Sequence, residues 1–439
     1  MDSSAPEATP GPRAAPGWVE HVIWWHVYPL GFVGADTSGE DRTPGGGFDH
    51  LSGWLDHAVE LGVNGLALGP IFQSGSHGYD TLDHFAVDPR LGDADGFRRL
   101  VDAAHRNGVR ILLDGVFNHV GRGFPGVREA ELEQGGSRDG WFRRDRDGRL
   151  ATFEGHAKLV ALDHGDPAVA DHVRCVMRHW LDLGVDGWRL DAAYAVPPSF
   201  WHAVLPPVRE SHPDAYFVGE VLHGDYADYV RRSGIDSVTQ YELWKAIWSA
   251  LDSRNFFELD WTLRRHNDLL DTFVPYTFVG NHDVTRLASQ ISDPRHHPHA
   301  LALLMVLGGT PSIYYGDEQG LRAVKEDRIG GDDAVRPAFP ATPLPLENAA
   351  AEVFRLHQQL IGLRRRHPWL HQARSETLLL RNEALVLRVH AADDLILALN
   401  LDETALRVEG TSAGELLAGT AHRSNGGWTV PAHGWAVLG

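Results

Sequence analysis

Residues 97–118 read FRRLVDAAHRNGVRILLDGVFN, and residues 51–70 read LSGWLDHAVELGVNGLALGP. In each, apolar residues recur at i, i+3, i+4 over a dozen positions and a glycine closes the segment. A short β-branched or aliphatic run follows and ends in a polar or turn residue. That is a helix feeding a strand, the repeat of a parallel sheet and not of hairpins. Reading outward, the chain carries eight such runs: Val22 to Pro29, Val63 to Pro70, Val109 to Asn118, Val185 to Asp191, Ala215 to Glu220, Ile235 to Glu242, Tyr276 to Asp283 and Pro311 to Glu318. Eight parallel strands close a barrel, so the expected class is α/β, a (β/α)8 TIM barrel.

Two stretches break the alternation. Residues 121–184 are too long for one connection and one helix and include the charged segment WFRRDRDGRLATFEGH, which predicts a small inserted subdomain after the third strand. From about Glu376 the pattern turns to TLLLRNEALVLRVH, LILALNL and WTVPAHGWAVL without helices between them. This predicts an antiparallel β-sandwich at the C-terminal end. The division is a disordered tail at 1–17, a barrel at 18–370 that includes the insertion, and a β domain at 371–439.

Of the 439 residues, 43% are hydrophobic and 23% charged, ample for a large core, and the net charge is −19. Nucleic acid is held by neutralising phosphates with Lys and Arg, so this balance argues against it and favours neutral substrates. The one cysteine, Cys175, allows no internal disulfide, and the first seventeen residues hold no apolar core for a signal peptide. The longest apolar run, near Leu301 to Leu307, is far too short to span a bilayer. A cytoplasmic protein is expected, without a membrane partner; the oligomeric state is open.

In a parallel barrel, chemistry gathers where strands end. Three runs end in an acid there: Asp191 after GWRL, Glu220 after FVG, and Asp283 in GNHD. Three carboxylates at one mouth are costly unless a cationic transition state uses them, and glycoside hydrolysis does so with a nucleophile or stabiliser and a proton donor. Arg189 lies two residues before Asp191, on the same strand face. A buried arginine there is expected to keep Asp191 ionised and leave Glu220 as the protonated partner.

The ordered set DGVFNH (Asp114 to His119), GWRLD, GE and NHD resembles the four conserved regions of the α-amylase family, glycoside hydrolase family 13. The segments HGYD (His77 to Asp80), VALDHGDP, GTPSIYYGDEQGL and HGWAVL agree with it, so the resemblance runs from about Val22 to the end. It implies a retaining enzyme with Asp191 as nucleophile, Glu220 as acid/base and Asp283 gripping the sugar's 2- and 3-hydroxyls. It also implies that Arg189 orients the nucleophile, that His119 and His282 bind the cleaved sugar, and that Tyr79, beside Asp80, lies beneath it. Asp114 matches a position that supports the loop of Asn118. Arg336, in GGDDAVRP, resembles an arginine that shapes outer subsites in neopullulanase-like members, and a pairing with Asp80 would wall off the non-reducing end. The expected partner is an α-linked oligosaccharide, cut by double displacement.

The departures are specific. The Lys-His pair that starch-cleaving members carry three and four residues past the nucleophile is Tyr194 and Ala195 here, so the leaving side differs. No DxNxDG calcium loop follows the first strand. Asn118 and Asp163 match two ligands of the family's other Ca²⁺ site, but no third, acidic one is found; no cofactor is required by the chemistry. Transfer to a sugar acceptor, as in glucanotransferases or trehalose synthases, shares the same intermediate and stays open. A non-catalytic carbohydrate-binding scaffold is the remote alternative, since such proteins typically lose one of the acids. Elsewhere, one or both of Trp24 and Trp25 are expected in the core, His223 on the leaving side or packed in its loop, the run RHHPH (Arg295 to His299) in solvent, and Cys175 buried in its helix.

Overall fold

The computed structural model describes residues 14–132, 136, 138–328, 330–410, 413–424 and 426–439. Most of the expected N-terminal tail lies outside these; within them the chain begins a 3-10 turn at Gly17–His21. Eight strands form one parallel sheet: β1 (Trp24–Val27), β2 (Gly65–Leu68), β3 (Arg110–Gly115), β4 (Gly187–Leu190), β5 (Tyr216–Gly219), β6 (Ser237–Val238), β7 (Tyr276–Phe278) and β8 (Thr310–Tyr314). Their order is β6-β5-β4-β3-β2-β1-β8-β7, and a parallel bridge from Thr239 to Tyr276 closes the ring between β6 and β7. Seven of the eight expected runs contain one of these strands, and the eighth strand starts at Thr310, one residue before its run; the other ends of the runs have become loops.

Period-two alternation divides each strand between two cores. Trp24, Ala67, Leu112, Tyr216 and Val218 fill the barrel interior, while Trp25, Leu66, Leu68, Leu113 and Phe217 face the surrounding helices. Both tryptophans of β1 are therefore core, 0% and 1% exposed, on opposite sides of the sheet. At Gly187 the strands approach so closely that a Cβ would lie 2.2 Å from the Tyr216 carbonyl oxygen, so only glycine can open β4 there.

Between β3 and β4 the chain makes a two-stranded pairing, His119–Gly121 with Leu159–Ala161, and several short turns. The last part of the 121–184 range, Pro167–Asp182, is instead the regular barrel helix, with Asp166 capping it through the Ala168 N–H. A further hairpin, Phe72–Ser74 with Thr81–Val87, rises from the β2–β3 connection.

After the helix Asn348–Arg366, two antiparallel sheets of five and three strands make the C-terminal sandwich. Its larger sheet is buried on both sides: Val386, Ile396, Ala398 and Leu438 pack on the small sheet, and Leu385, Leu387, Leu397 and Val437 join the core shared with the barrel. Helix His297–Val306 is buried along nearly its whole length at this junction. The histidines expected in solvent are consequently inside: His296 and His299 are 0% exposed and His297 is 7%. Cys175 is the reverse, an exposed thiol on the outer face of its helix, because the inward face is taken by Val173, Val176, Met177 and Trp180.

Candidate active site

Register places the acids. Arg189 on β4 pairs across to Asp114 on β3, so the two side chains enter the barrel mouth from neighbouring strands at the same height. Asp191 and Glu220 are the first residues past β4 and β5, held by Asp191 N–H to the Gly115 carbonyl (3.0 Å) and Glu220 N–H to the Leu190 carbonyl (2.9 Å). The Arg189 guanidinium joins them. Its Nη1 donates to both oxygens of Asp114 (2.8 and 2.7 Å) and to Asp191 Oδ1 (2.9 Å), and its Nη2 lies 2.6 Å from Glu220 Oε1. Held by two nitrogens of one planar group, the two acids stand close together at the mouth, as the closely spaced carboxyl pair of a two-step displacement does.

Ala192 has a left-handed backbone, φ 45°, which disfavours a residue with a Cβ by roughly 1–2 kcal/mol. The turn aims its N–H at Glu220 Oε2, 2.9 Å away. Tyr241, the first residue of the helix Tyr241–Ser253 after β6, donates to Glu220 Oε1 at 3.2 Å and receives the Asn281 amide at 2.9 Å. Glu220 is thereby clamped on both oxygens. Tyr241 had no signature in the sequence: its run ends like any strand, and only the pairing of β6 with β5 brings it to Glu220.

Asp283 stands across the mouth, its N–H fixed by Asn281 Oδ1. Its carboxylate meets His282 Nε2 at 3.1 Å and Arg336 Nη2 at 2.7 Å. Arg336 also donates to the His282 carbonyl (2.9 Å) and to Asp332 (3.2 Å), and lies over the Tyr28 ring at 4.7 Å. It does not pair with Asp80. That carboxylate is spent nearer home, on the N–H (2.9 Å) and hydroxyl (2.7 Å) of Ser76, where it holds the loop that presents Tyr79. Tyr79 lies parallel to His282, their ring centroids 5.6 Å apart, and its hydroxyl bonds both His282 Nε2 and Asp114. Asp114 touches Arg189 and Tyr79 and not the loop of Asn118, so it belongs to the charge cluster itself.

Burial sets the charges. One guanidinium faces three carboxylates, and desolvation outweighs its attraction: Asp191 is pushed well above the usual carboxylate range and Asp114 up to about 6. The expectation that Arg189 alone would hold Asp191 ionised is thus corrected, because that cation is divided among Asp114, Asp191 and Glu220. The histidines are neutral: burial takes His119 down to about 3 and His282 well below its ordinary value.

The insertion packs against His119 at the mouth. Phe153 stacks on His119, centroids 4.6 Å apart and 11° from parallel. Next to it Glu154, at φ 48°, accepts the Tyr194 hydroxyl at 2.7 Å. The exposed His223 ring lies 6.3 Å from Tyr194. The charged composition of 141–156 concealed Phe153 and Glu154 as site residues. Of the two expected calcium-site residues, Asn118 turns its side-chain nitrogen to His119 Nδ1 at 3.1 Å and Asp163 Oδ1 accepts the Gly165 N–H at 2.9 Å; Ca²⁺ takes six to eight oxygens, so these two would be only part of such a site.

A family profile described as "Alpha amylase, catalytic domain" matches residues 26–155 and 139–340, most of the chain. The chain belongs to the α-amylase family, glycoside hydrolase family 13. As a member it is a glycosidase of α-glucosidic bonds. A cyclomaltodextrinase from Bacillus sp. is 30% identical over 424 residues, covering 88% of this chain and 74% of that protein. The chain spans between 57 and 74% of the length of such curated relatives. Among solved structures, a debranching enzyme of Nostoc punctiforme superposes with a TM-score of 0.80 at 27% identity, covering 97% of this chain and 99% of the other. The cyclic α-maltosyl-(1→6)-maltose hydrolase of Arthrobacter globiformis, in complex with its cyclic ligand, gives 0.81 at 25% identity over 97% and 100%. No helix among the described residues is long and apolar enough to cross a membrane.

Proposed function

We propose that this chain hydrolyses short or compact α-glucans, malto-oligosaccharides and their cyclic or branched relatives, through a covalent glycosyl-Asp191. Asp191 attacks the anomeric carbon while Glu220 gives its proton to the departing glycosidic oxygen. Glu220 then takes a proton from water as that water displaces Asp191, and the sugar leaves with its original configuration. Asp283 receives the sugar hydroxyls, and Tyr79, His119 and His282 line the cleaved unit. The single observation that carries this reading is Arg189 holding Asp191 and Glu220 on adjacent nitrogens.

Chain length is limited by two walls. Arg336, on Asp283 and Asp332, stands beyond the cleaved sugar; Phe153, Tyr194 and His223 stand on the leaving side. This agrees with the cyclic and short substrates named for the similar proteins. The cytoplasm is the proposed compartment, where the exposed Cys175 thiol stays reduced. The test is a product time course on maltohexaose, a cyclodextrin and pullulan with the anomer read by NMR, beside trapping with a fluorinated glucosyl donor. Retained α-product and a sugar adduct on Asp191, absent in Asp191→Asn, are expected. Inverted product, or turnover undiminished in Asp191→Asn, would overturn the assignment.

A further inference from the structure

At the seam between barrel and C-terminal sandwich, far along the chain from the catalytic acids, two imidazoles meet nitrogen to nitrogen. His296, entering helix His297–Val306, places Nε2 3.0 Å from Nδ1 of His433, which reaches in from the sandwich. Asp293 Oδ2 lies 3.9 Å from the same His296 nitrogen, and one ligand atom from each of the three residues falls within 4.8 Å of the others. Ligands on a tetrahedral Zn²⁺ with bonds of about 2.0–2.1 Å stand about 3.3 Å apart. The observed separations bracket that spacing.

We propose that Asp293, His296 and His433 form a binding site for a borderline divalent cation of the Zn²⁺ class, which staples the sandwich to the barrel. Imidazole nitrogens with one carboxylate select such ions over Ca²⁺ or Mg²⁺. Glu403 Oε2 lies 2.9 Å from His433 Nε2, the carboxylate that a metal-bound histidine generally has on its other nitrogen. With that carboxylate beside Nε2, Nδ1 is the nitrogen left to face the metal position. His296 is buried, and its Nε2 faces the metal position. Its Nδ1 has no protein partner, which holds the affinity below that of a closed four-ligand site. Arg295 pairs with Asp293, and Arg254 lies between Glu383 and Glu403, so the two arginines are balanced by acids. The fourth position opens past Asp293, whose side chain is 27% exposed, to a water.

The full chain, stripped by chelator, is titrated with Zn²⁺ by calorimetry and with Co²⁺ by visible absorption, and melted with and without Zn²⁺. One equivalent bound, a tetrahedral Co²⁺ band and a rise of a few degrees in melting temperature are expected. His433→Ala and Asp293→Asn should each abolish that equivalent and the rise. Glu403→Gln, which leaves all three ligands in place, should weaken binding about 10- to 100-fold. If His433→Ala does not fold, Asp293→Asn and Glu403→Gln decide. No binding by the wild type, or the same stoichiometry and melting shift in the variants, overturns the site.

Discussion

Asp191 shows how a single residue's chemistry is set by those that share its counterion. Arg189 touches three carboxylates at once, so each receives only part of one positive charge while all are buried. The Asp191 carboxyl therefore loses its proton at a higher pH than a free aspartate, about 4. Only the ionised form attacks, so the rate falls as pH drops through that raised value: the acidic limb of kcat/KM should lie clearly above pH 4, as a pH profile on a malto-oligosaccharide will show. A limb at or below the free-aspartate value would contradict the burial argument. Arg336 is the second decisive residue. Its motif was visible in the sequence, but its long-range partner was not, because Asp283 comes within reach only when the loops after β7 and β8 are packed together. Arg336→Ala should lower kcat/KM on maltohexaose roughly 10- to 100-fold by freeing Asp283, the worth of one charge-assisted bond. It should also shift the product distribution towards other chain lengths. Unchanged kinetics and products would remove Arg336 from the site.

Among the elements, the eight strands and their order were legible because period-two and period-3.6 patterns alternate along the whole barrel. The loops between them were not, since their shape follows from contacts and not from periodicity. The turn Phe153–Gly155 is the clearest case: a segment rich in Arg and Asp carries one aromatic residue onto His119 and one acid onto Tyr194. Glu154 accepts a left-handed backbone to do so. Glu154→Gly relieves that strain while deleting the hydrogen bond, two changes of about 1 kcal/mol each and opposite sign. Its unfolding midpoint in urea should therefore stay nearly constant, while KM for malto-oligosaccharides rises several-fold and that for α-glucosyl fluoride, which puts no sugar on the leaving side, does not. A KM change of equal size on both would place the loop elsewhere in function.

On the scale of the whole molecule, the sandwich is a second wall of the barrel's core. Its larger sheet buries one face on the small sheet and the other on the barrel, and helix His297–Val306 lies between, in contact with both. His299 Nε2 bridges the carbonyls of Asn400 and Gly434 across that seam (3.2 and 3.0 Å). Barrel and sandwich should consequently unfold together. His299→Leu, which keeps the volume but leaves two buried carbonyls short of a partner, should cost roughly 1–3 kcal/mol and move one cooperative transition downward in calorimetry. Two separated transitions in the wild type would show that the seam does not couple the parts.

The sequence by itself determined the barrel, the appended sandwich, and the order in which Asp191, Glu220 and Asp283 arrive at the strand ends, because these depend on local periodicity and on position along a strand. Tertiary structure alone decided which acids Arg189 and Arg336 hold, that the histidines of RHHPH are buried and Cys175 exposed, and that Tyr241 reaches Glu220 and Glu154 reaches Tyr194. Those outcomes depend on which surfaces meet when distant segments pack, and a side chain's partner, exposure and charge are properties of that meeting.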